Sequence, residues 1–210
     1  MPLERATGLV LRTRPLTESS LIVHWLTPDL GRLATVAKGA RRPKSPFRGK
    51  LDLFYEADFA FQRSQRSTLH TLREVALRDP HAALRTDLAR LRQATYAALL
   101  VEQVSEEETP LPEPFALLTE LLAAQAKHPA QPAVTFAFEL KLLTVLGLAP
   151  DLAHSRLSAS ARALAIRLTQ EGLMASAQLP ASPAELTDLR QFLHGFLIFH
   201  LGRIPPGRNE

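Results

Sequence analysis

The chain has 210 residues, 46% of them hydrophobic, and a formal net charge of +4, enough to bury one or two cores. It contains no cysteine, which excludes disulfides, thiol catalysis and the cysteine-built zinc sites. Charge is uneven: residues 1–80 hold 14 Lys and Arg against 8 Asp and Glu, a net of +6, while residues 81–210 hold 11 against 13, a net of −2.

The β-rich stretch at residues 7–14 predicts a first strand and residues 20–27 a second. Pro28-Asp29-Leu30-Gly31 makes a tight turn, and residues 32–38 return as the third strand of a hairpin. Residues 38–50 follow, with six basic side chains (Lys38, Arg41, Arg42, Lys44, Arg48, Lys50) and no acidic one. Two glycines and two prolines break regular structure through the middle, so this stretch predicts a loop held between strands. Residues 51–61 alternate, with Leu51, Leu53, Tyr55, Ala57, Phe59 and Phe61 on one face and Asp52, Phe54, Glu56 and Asp58 on the other. A fifth strand fits residues 67–77. Five short strands without a helical period predict an OB-like β-barrel, a fold on which oligonucleotides commonly bind.

From Asp79 the period changes. Asp79-Pro80 predicts an N-cap, and Leu84, Leu88, Leu91, Ala94 and Ala98 predict one long helix that ends near Glu106, Glu107 and Glu108. Further helices are predicted over residues 115–127, 133–146, 158–170 and 182–201, the last opened by a capping box of Ser182 and Glu185. Its wide stripe (Leu186, Leu189, Phe192, Leu193, Phe196, Leu197, Phe199) predicts a helix buried among the others. The expected architecture is α+β and multidomain: a barrel over residues 1–80, binding nucleic acid, and an all-α bundle over residues 81–210, binding partners. The N-terminal residues lack the pattern of a signal peptide, and no apolar run approaches the roughly 20 residues of a membrane span, so a cytoplasmic protein without membrane contact is expected.

Catalytic patterns are missing. Glu106, Glu107 and Glu108 read as a solvated helix end, and Asp52, Glu56 and Asp58 as the polar face of a strand. His194 and His200 are six apart on one helix, which is not a ligand spacing; His24 and His70 fall in strands and His154 in a loop. The glycines form no phosphate-binding motif and the serines no nucleophile elbow. A cationic loop presented by a sheet suits a polyanion, and phosphate is the obvious one. Among the nearby aromatics, Trp25 and Tyr55 read as core, while Phe47 and Phe54 are candidates for stacking on bases. The expected DNA-binding set is therefore Lys38, Arg41, Arg42, Lys44, Phe47, Arg48 and Lys50, with no metal and no cofactor. The alternative is an OB-type RNA-binding or regulatory adaptor whose helical part binds another protein.

Several runs resemble one family. Pro28-Asp29-Leu30-Gly31, then Val36-Ala37-Lys38-Gly39-Ala40-Arg41-Arg42-Pro43-Lys44-Ser45 and Leu51-Asp52-Leu53-Phe54, resemble the N-terminal domain of the RecO DNA repair proteins. Glu139-Leu140-Lys141-Leu142-Leu143, Leu146-Gly147-Leu148-Ala149-Pro150-Asp151-Leu152 and Phe199-His200-Leu201-Gly202-Arg203 resemble helical segments of the same family. The resemblance implies a recombination mediator that binds single- and double-stranded DNA, anneals complementary strands and helps load the recombinase. It also implies two partners, the ring-forming RecR and the acidic C-terminal tail of single-strand-binding protein. Many relatives carry a four-cysteine zinc module after the Leu-Gly-Leu-x-Pro segment; here residues 151–157 run almost directly into the next helix, so no zinc is carried over.

Overall fold

A computed structural model describes residues 3–208; Met1, Pro2, Asn209 and Glu210 lie outside the described residues. Five strands open the fold: β1 (Leu3–Pro15), β2 (Leu21–Thr27), β3 (Gly31–Ala37), β4 (Glu56–Gln62) and β5 (Leu69–Asp79). They pair in the order β1-β2-β3-β5-β4, and β4 pairs back onto β1, which closes the sheet. Neighbours are antiparallel except β3 and β5, which run parallel over residues 34–36 and 69–71. This is the expected OB-like arrangement. Inward-facing positions of successive strands fill its middle: Val10, Val23, Trp25, Leu33, Phe59, Phe61 and Leu72 are buried together. Trp25 stacks on Phe59 with centroids 4.1 Å apart, and its indole N–H donates to Thr35 Oγ1 at 2.9 Å, so the one polar atom of that ring is satisfied.

Alternation misleads at residues 51–55. They form a turn instead of the start of a strand, and Phe54 takes a left-handed φ of 60°. The turn clasps β1 through two bonds, Phe54 N–H to Val10 O at 2.8 Å and Val10 N–H to Tyr55 O at 2.9 Å. The Phe54 side chain is buried, which the expected polar face did not allow for.

Six helices follow: α1 (Leu88–Gln103), α2 (Pro112–Lys127), α3 (Pro132–Val145), α4 (Ala159–Gln170), the short α5 (Leu173–Ser176) and α6 (Pro183–Leu201). Asp79 ends β5 and does not cap a helix. After a 3-10 turn at Ala82–Arg85 the cap is Asp87, whose carboxylate accepts the N–H groups of Ala89 at 2.8 Å and Arg90 at 3.3 Å. The Ser182–Glu185 capping box of α6 is present, with Ser182 Oγ accepting from Glu185 N–H and the Glu185 carboxylate accepting from Ser182 N–H. The helix at the centre of the bundle is α3, buried almost all round, and it packs on α1, α4, α5 and α6. α6 buries only Leu189, Leu193 and Leu197, a single stripe at four-residue spacing, and leaves Phe199 83% exposed. The expectation that α6 is the buried helix is therefore corrected.

The described chain forms two compact units. One takes the residues up to Ala82 together with Ser105–Phe115; the other takes Ala83–Val104 and the described residues from Ala116 onward. The returning segment lies along β3: Glu107 bridges Arg32 in parallel, Glu108 N–H donates to Arg32 O at 2.8 Å, and Leu111 N–H donates to Pro28 O at 3.0 Å. Gly31 sits under it with a φ of 64°, and a Cβ there would lie 1.8 Å from the Thr109 carbonyl oxygen. Glycine is required by both the backbone angle and the close approach.

Candidate nucleic-acid interface

Residues 38–50 are folded. Successive turns close on short bonds: Arg42 N–H to Gly39 O at 3.0 Å, Ser45 N–H to Arg42 O at 3.0 Å, Arg48 N–H to Ser45 O at 3.2 Å and Lys50 N–H to Phe47 O at 3.1 Å. Gly39 and Gly49, with φ of 69° and 72°, supply the left-handed corners. Two bonds tie the loop to the β1–β2 connection, Arg41 N–H to Ser19 O at 3.0 Å and Gly39 N–H to Ser20 Oγ at 3.3 Å. Phe47 plugs the end of the barrel: it is only 6% exposed and belongs to the same core as Trp25 and Phe59. Its expected role in stacking is corrected by that burial, because the ring face is spent on the core. Phe54, 1% exposed, is corrected in the same way.

Anchoring Phe47 turns the cations outward. Lys38, Arg41, Arg42, Lys44 and Arg48 are exposed, and Lys50 is half-buried with its ammonium donating to Val75 O at 3.2 Å. Arg48 also donates to Pro43 O at 3.2 Å, which fixes its guanidinium over the loop. Arg41, Arg42 and Arg48 rim an open cleft of about 380 Å³ whose walls include Leu21, Phe47 and Leu51. A cleft with apolar walls and a cationic rim can accept phosphate at its edge and apolar surface inside.

A second group of cations escapes a reading of residue runs. The register pairs Arg12 with His24 and Arg14 with Ile22, so these side chains share the outer face of β1 and β2. The bulge between Val10 and Arg12 sets that facing, since it lets Val10 and Leu11 both be buried while Arg12 turns out. Burial and the guanidiniums of Arg12, Arg14 and Arg32 push the His24 pKa down to about 4. The imidazole is neutral near pH 7 in a field that is already positive. The signal in the sequence was the alternation Leu11-Arg12-Thr13-Arg14, which reads as an ordinary half-buried strand until the pairing is known.

Two of the carboxylates considered for catalysis, Asp58 and Glu108, are bound into structure. Asp58 accepts from Thr7 Oγ1 at 2.6 Å and forms an ion pair with Arg78, Nε to Oδ2 3.3 Å. Glu108, expected at a solvated helix end, lies in the returning segment instead. It pairs with Arg63 and accepts the Nε2 proton of the buried His70 at 2.9 Å, while His70 Nδ1 accepts Ser64 N–H. Arg63 also grips Glu4, which holds that carboxyl below its usual range. Among the described residues no three His, Asp or Glu side chains are grouped to hold a metal ion, and no helix is long and apolar enough to cross a membrane.

Known proteins resemble the chain along most of its length. Residues 1–81 match the family described as Recombination protein O N terminal, and residues 85–158 the one described as Recombination protein O C terminal. The DNA repair protein RecO of Anaeromyxobacter sp. (strain K) is 32% identical over 233 residues, covering 95% of this chain and 92% of its own length. That of Exiguobacterium sibiricum is 30% identical over 206 residues, with 96% and 82% covered. That of Bacillus subtilis (strain 168) is 32% identical over 152 residues, with 72% and 59% covered.

Proposed function

The chain belongs to the RecO family of DNA repair proteins, and on that premise we propose that it binds single- and double-stranded DNA through residues 1–80. Lys38, Arg41, Arg42, Lys44, Arg48 and Lys50 contact phosphates. Arg12 and Arg14 extend the track over the outer face of β1. Such contacts neutralise phosphate charge and release counterions, so they give affinity without sequence preference. Bringing two strands onto one cationic surface reduces their repulsion, and annealing then needs no catalytic group. Loading of the recombinase, contact with RecR and capture of the acidic tail of single-strand-binding protein complete the role, with residues 81–210 serving the protein partners. The protein works in the cytoplasm at the nucleoid, without metal or cofactor.

One observation carries the reading: the cationic stretch is a folded platform seated on the barrel by Phe47, with most of its charges exposed. The test is binding to single-stranded DNA across a salt series. Four fully engaged cations give a slope of about −3, at roughly 0.7 per contact. Changing Arg41, Arg42 and Lys44 together to alanine flattens the slope, weakens all sequences alike and lowers annealing in step. Stability moves by no more than about 0.5 kcal/mol, because these side chains are exposed. A triple variant that binds and anneals normally at physiological salt would remove the loop from the interface.

A further inference from the structure

Glu139 lies in the middle of α3 with no exposure, in a helix whose surroundings are apolar. A carboxylate placed there has to be paired. One partner is the Tyr96 hydroxyl on α1, which donates to Oε1 at 2.6 Å. The other is Arg208, from the segment that follows α6. Its Nε donates to Oε1 at 2.6 Å and its Nη2 to Oε2 at 2.8 Å, a two-pronged grip. Its remaining terminal nitrogen donates to Arg190 O on α6 at 3.2 Å, and the guanidinium stands 5.7 Å over the Phe136 ring. The side chain is 7% exposed. Pairing with Glu139 raises the Arg208 pKa against the opposing effect of burial, and burial with the same carboxylate pushes Tyr96 up.

The segment that delivers this guanidinium is neither helix nor strand. Gly202 ends α6 in a left-handed conformation, and residues 203–208 run irregularly, held by Gln103 Nε2 to the carbonyls of Leu201 and Arg203, both at 3.0 Å. Gly207 forms part of the wall of an open cleft of about 440 Å³ that also involves Leu88, Arg92, Gln131 and Arg190. A buried ion pair adds little net stability over an apolar one, so its use here lies in specifying which group occupies the place. The planar fork of arginine fits a carboxylate as lysine does not.

We propose that Glu139, Tyr96, Phe136 and the Arg190 carbonyl form a receptor site for an arginine guanidinium. The segment after α6 occupies it as a detachable ligand of the bundle's own making. The site is built from side chains of α1 and α3 and a backbone carbonyl of α6, and only its occupant comes from irregular chain. It is independent of the DNA reading.

The test is chemical rescue in the full chain. R208A is expected to lower the melting temperature of the helical unit by roughly 10 °C. Millimolar ethylguanidinium should restore much of that loss, whereas ethylammonium at equal ionic strength should not. E139Q/R208A should not respond to either. In the second arm, the chain ending at Gly202 is titrated with a peptide of residues 203–210. One-to-one binding is expected by calorimetry, and loss of it with the R208A peptide. Equal response of the parent, R208A and the double variant to ethylguanidinium would overturn the proposal, as would an R208A variant that melts with the parent. If the shortened chain does not fold, the full-chain arm decides alone.

Discussion

Phe47 shows how one side chain can organise a charged surface without touching the ligand. Its ring is held in the barrel core, so the backbone on either side is drawn in and the basic side chains are turned out. Phe47→Leu keeps an apolar anchor and removes the ring; affinity for single strands should stay within about two-fold, where loss of a stacked base would cost about 1–3 kcal/mol. Phe47→Ala leaves a cavity and should destabilise the barrel by about 3–5 kcal/mol, measured by denaturant unfolding. His24 makes a different prediction. Its folded pKa is about 4, below the ordinary 6.5, so between those values the unfolded chain binds the proton and the folded one does not. Stability therefore falls on acidification from about pH 6.5 towards pH 4, by about 1 kcal/mol once its partial exposure is discounted. Arg12→Ala should move the titration seen by NMR back towards 6.5; an unchanged midpoint would remove Arg12 from the cause. The charge of the loop was legible as a run of residues. The cluster around His24 was not, because strand pairing brings Arg12 and Arg14 of β1 and Arg32 of β3 to His24 of β2 from separate stretches.

Among the elements, α6 separates stripe from burial. Apolar residues recur along it at three- and four-residue spacing, which correctly marks a helix but overstates how much of it is covered. Leu193→Ala should cost about 2–5 kcal/mol, whereas Phe199→Ser should change stability by no more than about 0.5 kcal/mol, compared by thermal unfolding. Ser182→Ala removes the Oγ that accepts Glu185 N–H, leaves the backbone N–H of residue 182 on the Glu185 carboxylate, and should cost about 1 kcal/mol. Strand positions were legible because alternation against a closed core leaves little choice of face. The exception at residues 51–55 has a local cause. The same alternation continues through a turn whose left-handed Phe54 lets the backbone clasp β1, and no residue-type signal distinguishes that from a strand. The start of α1 was misplaced because Asp79-Pro80 carries a strong capping signal. β5 runs on to Asp79 instead, and Asp87 caps the helix.

At the scale of the molecule, what periodicity cannot convey is return. Residues 105–115 follow a helix in sequence yet complete the barrel unit, and the pairs that fix them span 73 residues from Arg32 to Ser105 and 38 from His70 to Glu108. A fragment of residues 1–82 should accordingly melt below the same unit in the full chain, and a peptide of residues 104–115 added in trans should raise its midpoint. Gly31→Ala, which drives a Cβ into Thr109, should mimic the missing segment. The same return sets an order of events during synthesis. β5 is complete at Asp79, but the ribosome must add more than thirty further residues, α1 among them, before Phe115 exists. At about 5–20 residues per second that is a wait of a few seconds. During it the nascent barrel has its strands but not the piece that lies along β3, and α1 has been made before most of the helices it will pack with. The two units are interleaved in time, so neither can finish as a sealed product before work on the other has begun.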